Sequence, residues 1–312
     1  MKSFPYSNTN KRYHTLDYFY KKKFKSKVCK ISLNAGFTCP NIDGTKGYNG
    51  CIYCLKGASE FAGDPKDNLK KQFNDIKKIM DKKWPNSKYI GYFQARTNTY
   101  APVDILKEKY ETILNMKDVV GLSIATRPDA ITDECMEYLK KLNKKTFLTV
   151  ELGLQTIHEK TSILINRCHD LKCFENCFKK LKENNIFTVV HIINGLPGET
   201  EEMMIETIKY LNKLNIDGIK IHMLTVLKNT PLEKYYKKNN FHLLTEEEYI
   251  NITVKQLEYL NPKIVIQRLT ADPMKEDLIE PKWTLKKINV LNGIDKKMKN
   301  ENIYQGDKIL RN

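Results

Sequence analysis

The stretch FLTVELGLQTIHEKTSILINRCHDLKCFENCFKKLKENNIFTVVHIIN, residues 147–194, decides the fold. It opens on an apolar, β-branched run, Phe147–Leu154, and closes on another, Phe187–Asn194, while Leu171–Asn184 between them repeats its apolar residues at helical spacing. Two strands joined by one helix make a βαβ unit, and its right-handed crossover sets the strands parallel. The same alternation continues in both directions. Upstream, strands fall at Val28–Ala35, Tyr89–Gln94 and Val119–Thr126, and helices at Lys66–Lys83, Val103–Met116 and Asp133–Leu142. Downstream, the helix Thr200–Leu214 leads into the strand Gly218–Val226. Pro102 suits a first helical position and Thr132 a helix cap.

Strands recurring at roughly thirty-residue intervals, each pair separated by one helix, predict an α/β fold: a partial (β/α)6 barrel of the TIM type. A doubly wound open sheet is the alternative, because local pattern does not encode strand order. A helical stretch, Thr245–Leu260, precedes a seventh apolar run, Ile264–Ala271, which closes or extends the sheet. The tail reads as a helix from Lys286 to Met298 and as frayed beyond it. The expected organisation is an N-terminal extension over residues 1–27, a core barrel over 28–230 and a C-terminal extension over 231–312.

Of the 312 residues, 41% are hydrophobic and 29% charged, which excludes wholesale disorder. Lys and Arg outnumber Asp and Glu 53 to 37, and a net charge of +16 favours a polyanionic partner. Residues 11–27, KRYHTLDYFYKKKFKSK, concentrate seven basic residues, five aromatics and one acid. That mixture suits phosphate contact and base stacking, and equally a basic amphipathic helix docked on the barrel. The first ten residues lack the apolar core of a signal peptide and no run is long enough to span a membrane, so the expected location is the cytoplasm. Eight cysteines there point to metal or catalytic thiols and buried packing residues, more than to structural disulfides.

In parallel barrels the working groups stand on the loops that follow the strands. The loop after the first strand, AGFTCPNIDGTKGYNGCIYCLKGASEFAG over residues 35–63, carries Cys39, Cys51 and Cys54 in the spacing C-x11-C-x2-C. These thiols could hold zinc, an iron–sulfur cluster, a redox disulfide, or nothing. Structural zinc takes four ligands, and a fourth is not evident: Cys29 sits inside the first strand and His14 lies far outside the loop. Three cysteines on a four-iron cluster leave one iron open for a small ligand, the arrangement that radical chemistry on S-adenosylmethionine requires. Gly44, Gly47 and Gly50 would let the long loop fold back on itself.

The stretch AGFTCPNIDGTKGYNGCIYC resembles the cluster loop of radical S-adenosylmethionine proteins related to the catalytic subunit of Elongator. The resemblance continues through YFQARTNTYAP, SIATRPD, VELGLQT, INRCHD, HIINGLPGET and VIQRLTADP, covering residues 11–295 in register. It implies a part-barrel, a [4Fe–4S] cluster on Cys39, Cys51 and Cys54, and S-adenosylmethionine cleaved to a 5′-deoxyadenosyl radical. Tyr53 takes the aromatic position beside the last cysteine, near the adenine. Glu151, Gln155 and Arg167 match positions that contact the ribose and carboxylate of the cofactor, with Gln94, Ser123 and Thr126 facing the same cavity. The implied substrate is tRNA, at the carbon 5 side chain of a wobble uridine, remodelled from carboxymethylaminomethyl toward aminomethyl. A flavodoxin or ferredoxin would supply the electron. The family commonly reads N-R-G-H where this chain has Asn166-Arg167-Cys168-His169.

Each residue also has a plainer reading. Glu151 could be a strand-end ion-pair partner, Arg167 a surface cation, and His169 and His191 structural histidines. Cys135, Cys173 and Cys177 fall at helical packing positions, although Cys168, Cys173 and Cys177 together could be read as ligands of a second cluster. GLPGET lacks the lysine of a phosphate loop and reads as a turn into a helix. Two functional alternatives stay open: the same chemistry on a porphyrinogen-like small molecule, and a zinc-containing RNA-binding protein without catalysis.

Overall fold

The computed structural model describes residues 4–54 and 62–310. The last part of the cysteine loop, residues 55–61, lies outside them. Helix α1 (Leu16–Phe24) leads into strand β1 (Val28–Leu33), followed by α2 (Leu69–Lys83), β2 (Lys88–Phe93), α3 (Val103–Leu114), β3 (Val119–Thr126), α4 (Asp133–Lys145) and β4 (Phe147–Gln155). The chain continues through α5 (Glu159–Leu164), α6 (Leu171–Glu183), β5 (Phe187–Asn194), α7 (Glu201–Leu214), β6 (Gly218–Met223) and β7 (Val226–Leu227). It ends with α8 (Pro231–Asn239), α9 (Glu246–Tyr259), β8 (Val265–Arg268), β9 (Leu278–Glu280), α10 (Lys287–Asn300) and α11 (Asp307–Leu310).

Seven strands form one parallel sheet in the order β1-β2-β3-β4-β5-β6-β8. Strand order never reverses, which rules out the doubly wound alternative, whose sheet turns back at a switch point. The sheet curls into a part-barrel, and side chains of its two edges meet inside: Lys30 Nζ on β1 donates to Gln267 Oε1 on β8 at 2.7 Å. Outward-facing residues such as Ile31, Leu122, Val150 and Ile221 pack beneath the helices in one hydrophobic cluster. That cluster takes in Tyr249, Leu257, Ile294 and Met298, so the segment 231–312 shares the core of the barrel.

Several boundaries differ from the sequence reading, each for a local reason. The strand expected to reach Val226 stops at Met223, and Val226–Leu227 pairs instead with Leu278–Glu280 as a separate antiparallel ladder. The seventh run joins the sheet over only four residues, Val265–Arg268. Pro102 sits at the cap, one place before the first helical residue, while Thr132 caps α4 as its sequence suggests. The tail is ordered past Met298: Gln305 is buried, and its amide is bonded to His14 N, Asn261 O and Ile264 O.

The basic, aromatic N-terminal segment docks on the barrel. Phe19 and Phe24 of α1 pack on Phe147 and Phe187, which open β4 and β5, so the helix plugs the N-terminal end of the sheet. Phe19, Phe24 and the buried Tyr20 are spent on this plug and are not available for base stacking, whereas Tyr18 is half-buried beside His14 with its hydroxyl donating to Pro5 O. Just ahead of α1, His14 O accepts from Ile266 N, and Thr15 bridges β8 in parallel fashion, covering the sheet's edge.

Candidate active site

At the C-terminal ends of the strands lies a cavity of about 340 Å³. Small-molecule sites start at about this size. Cys39, Cys51, Tyr53, Cys54, Gln94, Thr126, Glu151, Gln155 and Arg167 all line it. Ser123 does not. It is fully buried one pleat deeper on β3, where its hydroxyl donates to Glu151 Oε1 at 2.5 Å.

The cysteine loop is held by a network converging on Asn41 and Asn166. Asn41 Nδ2 donates to Asn166 O at 2.6 Å, and Asn166 Nδ2 donates to Gly50 O at 2.8 Å. Ile52 N donates to Ile165 O, and Leu232 N to Ile52 O, which pins the loop between the end of α5 and the start of α8. Gly50 precedes Cys51 with φ +72°, a conformation that costs other residues, and a Cβ on Gly47 would meet Asn41 Oδ1 at 2.3 Å and Cys168 Sγ at 2.9 Å. Loop folding therefore needs glycine at both places. Cys168 has φ +60°, in the region glycine favours, so the backbone here would suit the glycine of the N-R-G-H pattern and holds cysteine at some strain.

Arg167 is 1% exposed and clamps the end of β4, its Nη1 donating to Leu154 O and Thr156 O at 2.6 Å each and its Nε to His169 O at 2.9 Å. Its Nη2 is buried without a hydrogen-bond partner, and the nearest carboxylate, on Glu159, is 3.9 Å away. Gln155 closes β4 with φ +63° beside a register shift that turns its side chain to the cavity. Arg127 lines the cavity with its charge already answered by a two-point pair with Asp129, at 2.9 and 2.8 Å. His169, also on the wall, is pushed down to about 4 by burial and the neighbouring Arg167 and Arg127, so it is neutral at physiological pH.

Deeper in the barrel, Glu151 is wholly engaged within the protein. One oxygen accepts from Lys30 (2.7 Å) and Ser123 (2.5 Å), the other from Lys220 (2.5 Å), Tyr92 (3.0 Å) and His191 (2.7 Å). Burial favours its neutral form, but Lys220, Lys30 and His191 outweigh that and hold it well below the usual carboxylate range. Its oxygens are therefore committed to the cations around it, which does not suit the ribose contact expected from sequence. Burial, with Lys30 and Arg268 as like charges, lowers Lys220 to about 7 despite the attraction of Glu151. Sequence reasoning missed Lys30, Tyr92, Lys220, His222 and Arg268. The signal was present in Lys30 and Lys220, each a lone cation between apolar residues in the middle of a strand, VCKISL and GIKIHM.

The remaining cysteines divide by burial. Cys135 and Cys177 are packed in the hydrophobic core, Cys173 is half-buried and Cys168 exposed. Among the described residues no three His, Cys, Asp or Glu side chains converge tightly enough to cage a single ion.

A parallel part-barrel with a three-cysteine loop and, at its C-terminal mouth, a cavity that brings those thiols together with several arginines defines the class of radical enzymes built on this barrel. The chain matches the family model of the radical SAM superfamily over residues 44–211 and that of the Radical_SAM C-terminal domain over 216–300. It is 49% identical over 304 residues to YtqA of Bacillus subtilis, covering 97% of this chain and 94% of that one. It is 29% identical over 149 residues to the tRNA uridine(34) acetyltransferase of Methanocaldococcus infernus, covering 47% of this chain and 27% of that one. The solved structure of Elp3 from the same archaeon shares the fold, with a TM-score of 0.68 at 19% identity over 90% of this chain and 64% of that one. The chain belongs to the radical SAM superfamily, whose enzymes use a [4Fe–4S] cluster and S-adenosylmethionine.

The residues present fit that pair. Three thiols on one wall are soft donors suited to iron. Burial pushes the Cys51 thiol up, with Arg127 pulling the other way, and a metal bound there would displace its proton. The unpartnered Nη2 of Arg167 offers a charge-assisted donor to a carboxylate. No described helix is long and apolar enough to cross a membrane.

Proposed function

We propose that this enzyme acts on tRNA, remodelling the carbon 5 side chain of a wobble uridine from carboxymethylaminomethyl to aminomethyl, with water entering, the two-carbon unit leaving as glyoxylate, and S-adenosylmethionine consumed as the two-electron oxidant. What carries the reading is the cavity itself: Cys39, Cys51 and Cys54 share one wall-to-wall space with Tyr53, Gln155 and Arg167, in a chain similar to an enzyme named for tRNA uridine 34. Cys39, Cys51 and Cys54 would hold the cluster, and when bound the cluster and S-adenosylmethionine supply a 5′-deoxyadenosyl radical that abstracts hydrogen. Arg167 Nη2 would take the carboxylate of the cofactor, with Gln94, Thr126 and Gln155 bordering the same space and Tyr53 packing on its adenine. The barrel walls exclude water from the reacting centre, and the plug of α1 closes the far end. A base must therefore enter at the mouth, extruded from the anticodon loop. The net charge of +16 suits an RNA partner in the cytoplasm, and a flavodoxin or ferredoxin as electron donor would bring its own acidic surface. Mass spectrometry of tRNA nucleosides from cells with and without the gene tests the reading: loss of aminomethyluridine with build-up of the carboxymethylaminomethyl form is expected, and unchanged nucleosides would overturn it.

A further inference from the structure

Inside the barrel His191, Lys220 and Arg268 are direct lateral neighbours on β5, β6 and β8. The row lies below the cysteine loop: Lys220 is in the middle of β6, whereas the cysteines stand beyond the end of β1. His222, two residues further along β6, faces the same cavity with its ring 5.2 Å from that of His191.

The charges in this row do not balance. Glu151 is the counter-ion of Lys30 and Lys220, and all its bonds are made inside the protein. Arg268 faces Asp272 only at 3.6 Å, and Asp272 is held closer by Lys287, at 2.7 Å. Among the described residues the Arg268 guanidinium donates no side-chain hydrogen bond, although it lines the cavity. Of the other cations on the wall, Arg127 is answered by Asp129, Arg167 is bonded to backbone carbonyls through Nη1 and keeps the Nη2 assigned above to the cofactor, and Arg96 stands on the loop after β2. Within the barrel, below the cysteine loop, the surplus thus falls on β6 and β8, and its size suits a monoanion.

We propose that Arg268, His222 and Lys220 form a subsite for a carboxylate carried by the substrate, with Arg268 as its principal donor. The inference rests on the function proposed above for the RNA that presents this carboxylate, and deepens it. The side chain to be remodelled ends in a carboxylate and the product does not, so the subsite holds substrate and lets product go. A bound carboxylate also supplies the charge that Lys220 lacks, returning it toward its ordinary protonated state.

The test uses the full, cluster-loaded chain and an anticodon stem-loop RNA carrying carboxymethylaminomethyluridine, its methyl ester, or aminomethyluridine. The carboxylate form should bind at least tenfold tighter than the other two. Arg268→Gln should remove most of that ratio without weakening the ester form more than twofold, Arg268→Lys should keep part of it, and Lys220→Met should reduce it independently. A second arm needs no RNA: N-methylglycine is titrated while the ring resonances of His222 are followed by NMR, with its methyl ester and O-phosphoethanolamine as controls. A saturable shift is expected with the acid alone, and is lost in Arg268→Gln. Equal binding of the three RNAs together with no response to N-methylglycine overturns the subsite and leaves the RNA reading standing. No RNA binding but a response to N-methylglycine upholds the subsite and sinks the RNA reading. Tighter binding of O-phosphoethanolamine overturns the assignment to carboxylate. Loss of S-adenosylmethionine affinity in Arg268→Gln hands the row to the cofactor and overturns the proposal.

Discussion

Replacing Glu151 by Gln should expose how the barrel interior tolerates its cations. The carboxylate is fully buried, and Lys220 and Lys30, 5% and 15% exposed, both bond to it. The amide keeps the shape and one acceptor, but turns a donor toward three groups that themselves donate: Lys220, Tyr92 and His191. Removing one partner of a buried pair costs about 3–5 kcal/mol, because the other charge is left without compensation. Here the loss has a ceiling, since Lys220, already at about 7, can shed its proton when its counter-ion goes. The penalty must then depend on pH. A lysine lowered in the folded state binds fewer protons there than when unfolded, so wild-type stability rises with pH between about 7 and 10. Below pH 7 the wild type keeps the Lys220 proton and the variant does not, so the difference between them widens. Urea unfolding at pH 6 and pH 9 reads this directly: a loss of roughly 3–5 kcal/mol is expected at pH 6, about 6–15 °C in melting temperature, and a smaller one at pH 9. A variant within about 1 kcal/mol of wild type at pH 6, or a penalty that grows toward pH 9, would refute the reasoning.

Other changes probe separate parts of the molecule. Alanine at Cys39, Cys51 or Cys54 should each abolish iron retention in anaerobically prepared protein, while alanine at Cys173 should leave the iron content unchanged; iron and sulfide assays decide. Arg167→Lys loses the three-carbonyl clamp, and S-adenosylmethionine affinity should fall roughly 10- to 100-fold by equilibrium dialysis, the loss of one or two charged hydrogen bonds. The Tyr20 hydroxyl is buried without a partner beneath α1, so Tyr20→Phe should leave stability unchanged or raise it by about 1 kcal/mol in denaturant titration. His191, pushed down to about 4 by burial and Lys220, must take up a proton on acid unfolding; stability should fall from pH 6.5 toward pH 4, and less so in His191→Gln.

Strand positions were legible because each strand of the barrel carries an apolar face long enough to be read without partners, as in Phe147–Gln155. The three cysteines were legible for a different reason: their spacing is a local fact about one loop. What escaped depends on contacts between elements distant in sequence. The aromatics of α1 could serve RNA or the barrel, and only the positions of Phe147 and Phe187 at the strand starts decide between them. Val226–Leu227 continues the apolar pattern of β6, yet finds its partner fifty residues on, at Leu278–Glu280. Glu151 stands at the right strand for a cofactor contact, and its five donors come from five other strands, β1, β2, β3, β5 and β6, none of them closer to it than 28 residues in sequence. The row of Lys220 and Arg268 is likewise a property of register, visible only once β6 and β8 lie side by side.

The pairing of Gln305 with the segment around His14 has a practical side. Gln305 N donates to Arg12 O while its side chain ties His14 to the residues that open β8, so the segments around Arg12 and Gln305 meet at the sealed pole of the molecule. A fluorescent reporter placed beside Arg12 or Gln305 therefore sits away from the open pole, and need not hinder a large ligand arriving there. By the same geometry, trimming the last eight residues would unlatch the opening of β8, so shortened versions intended for crystallisation should stop no earlier than Leu310.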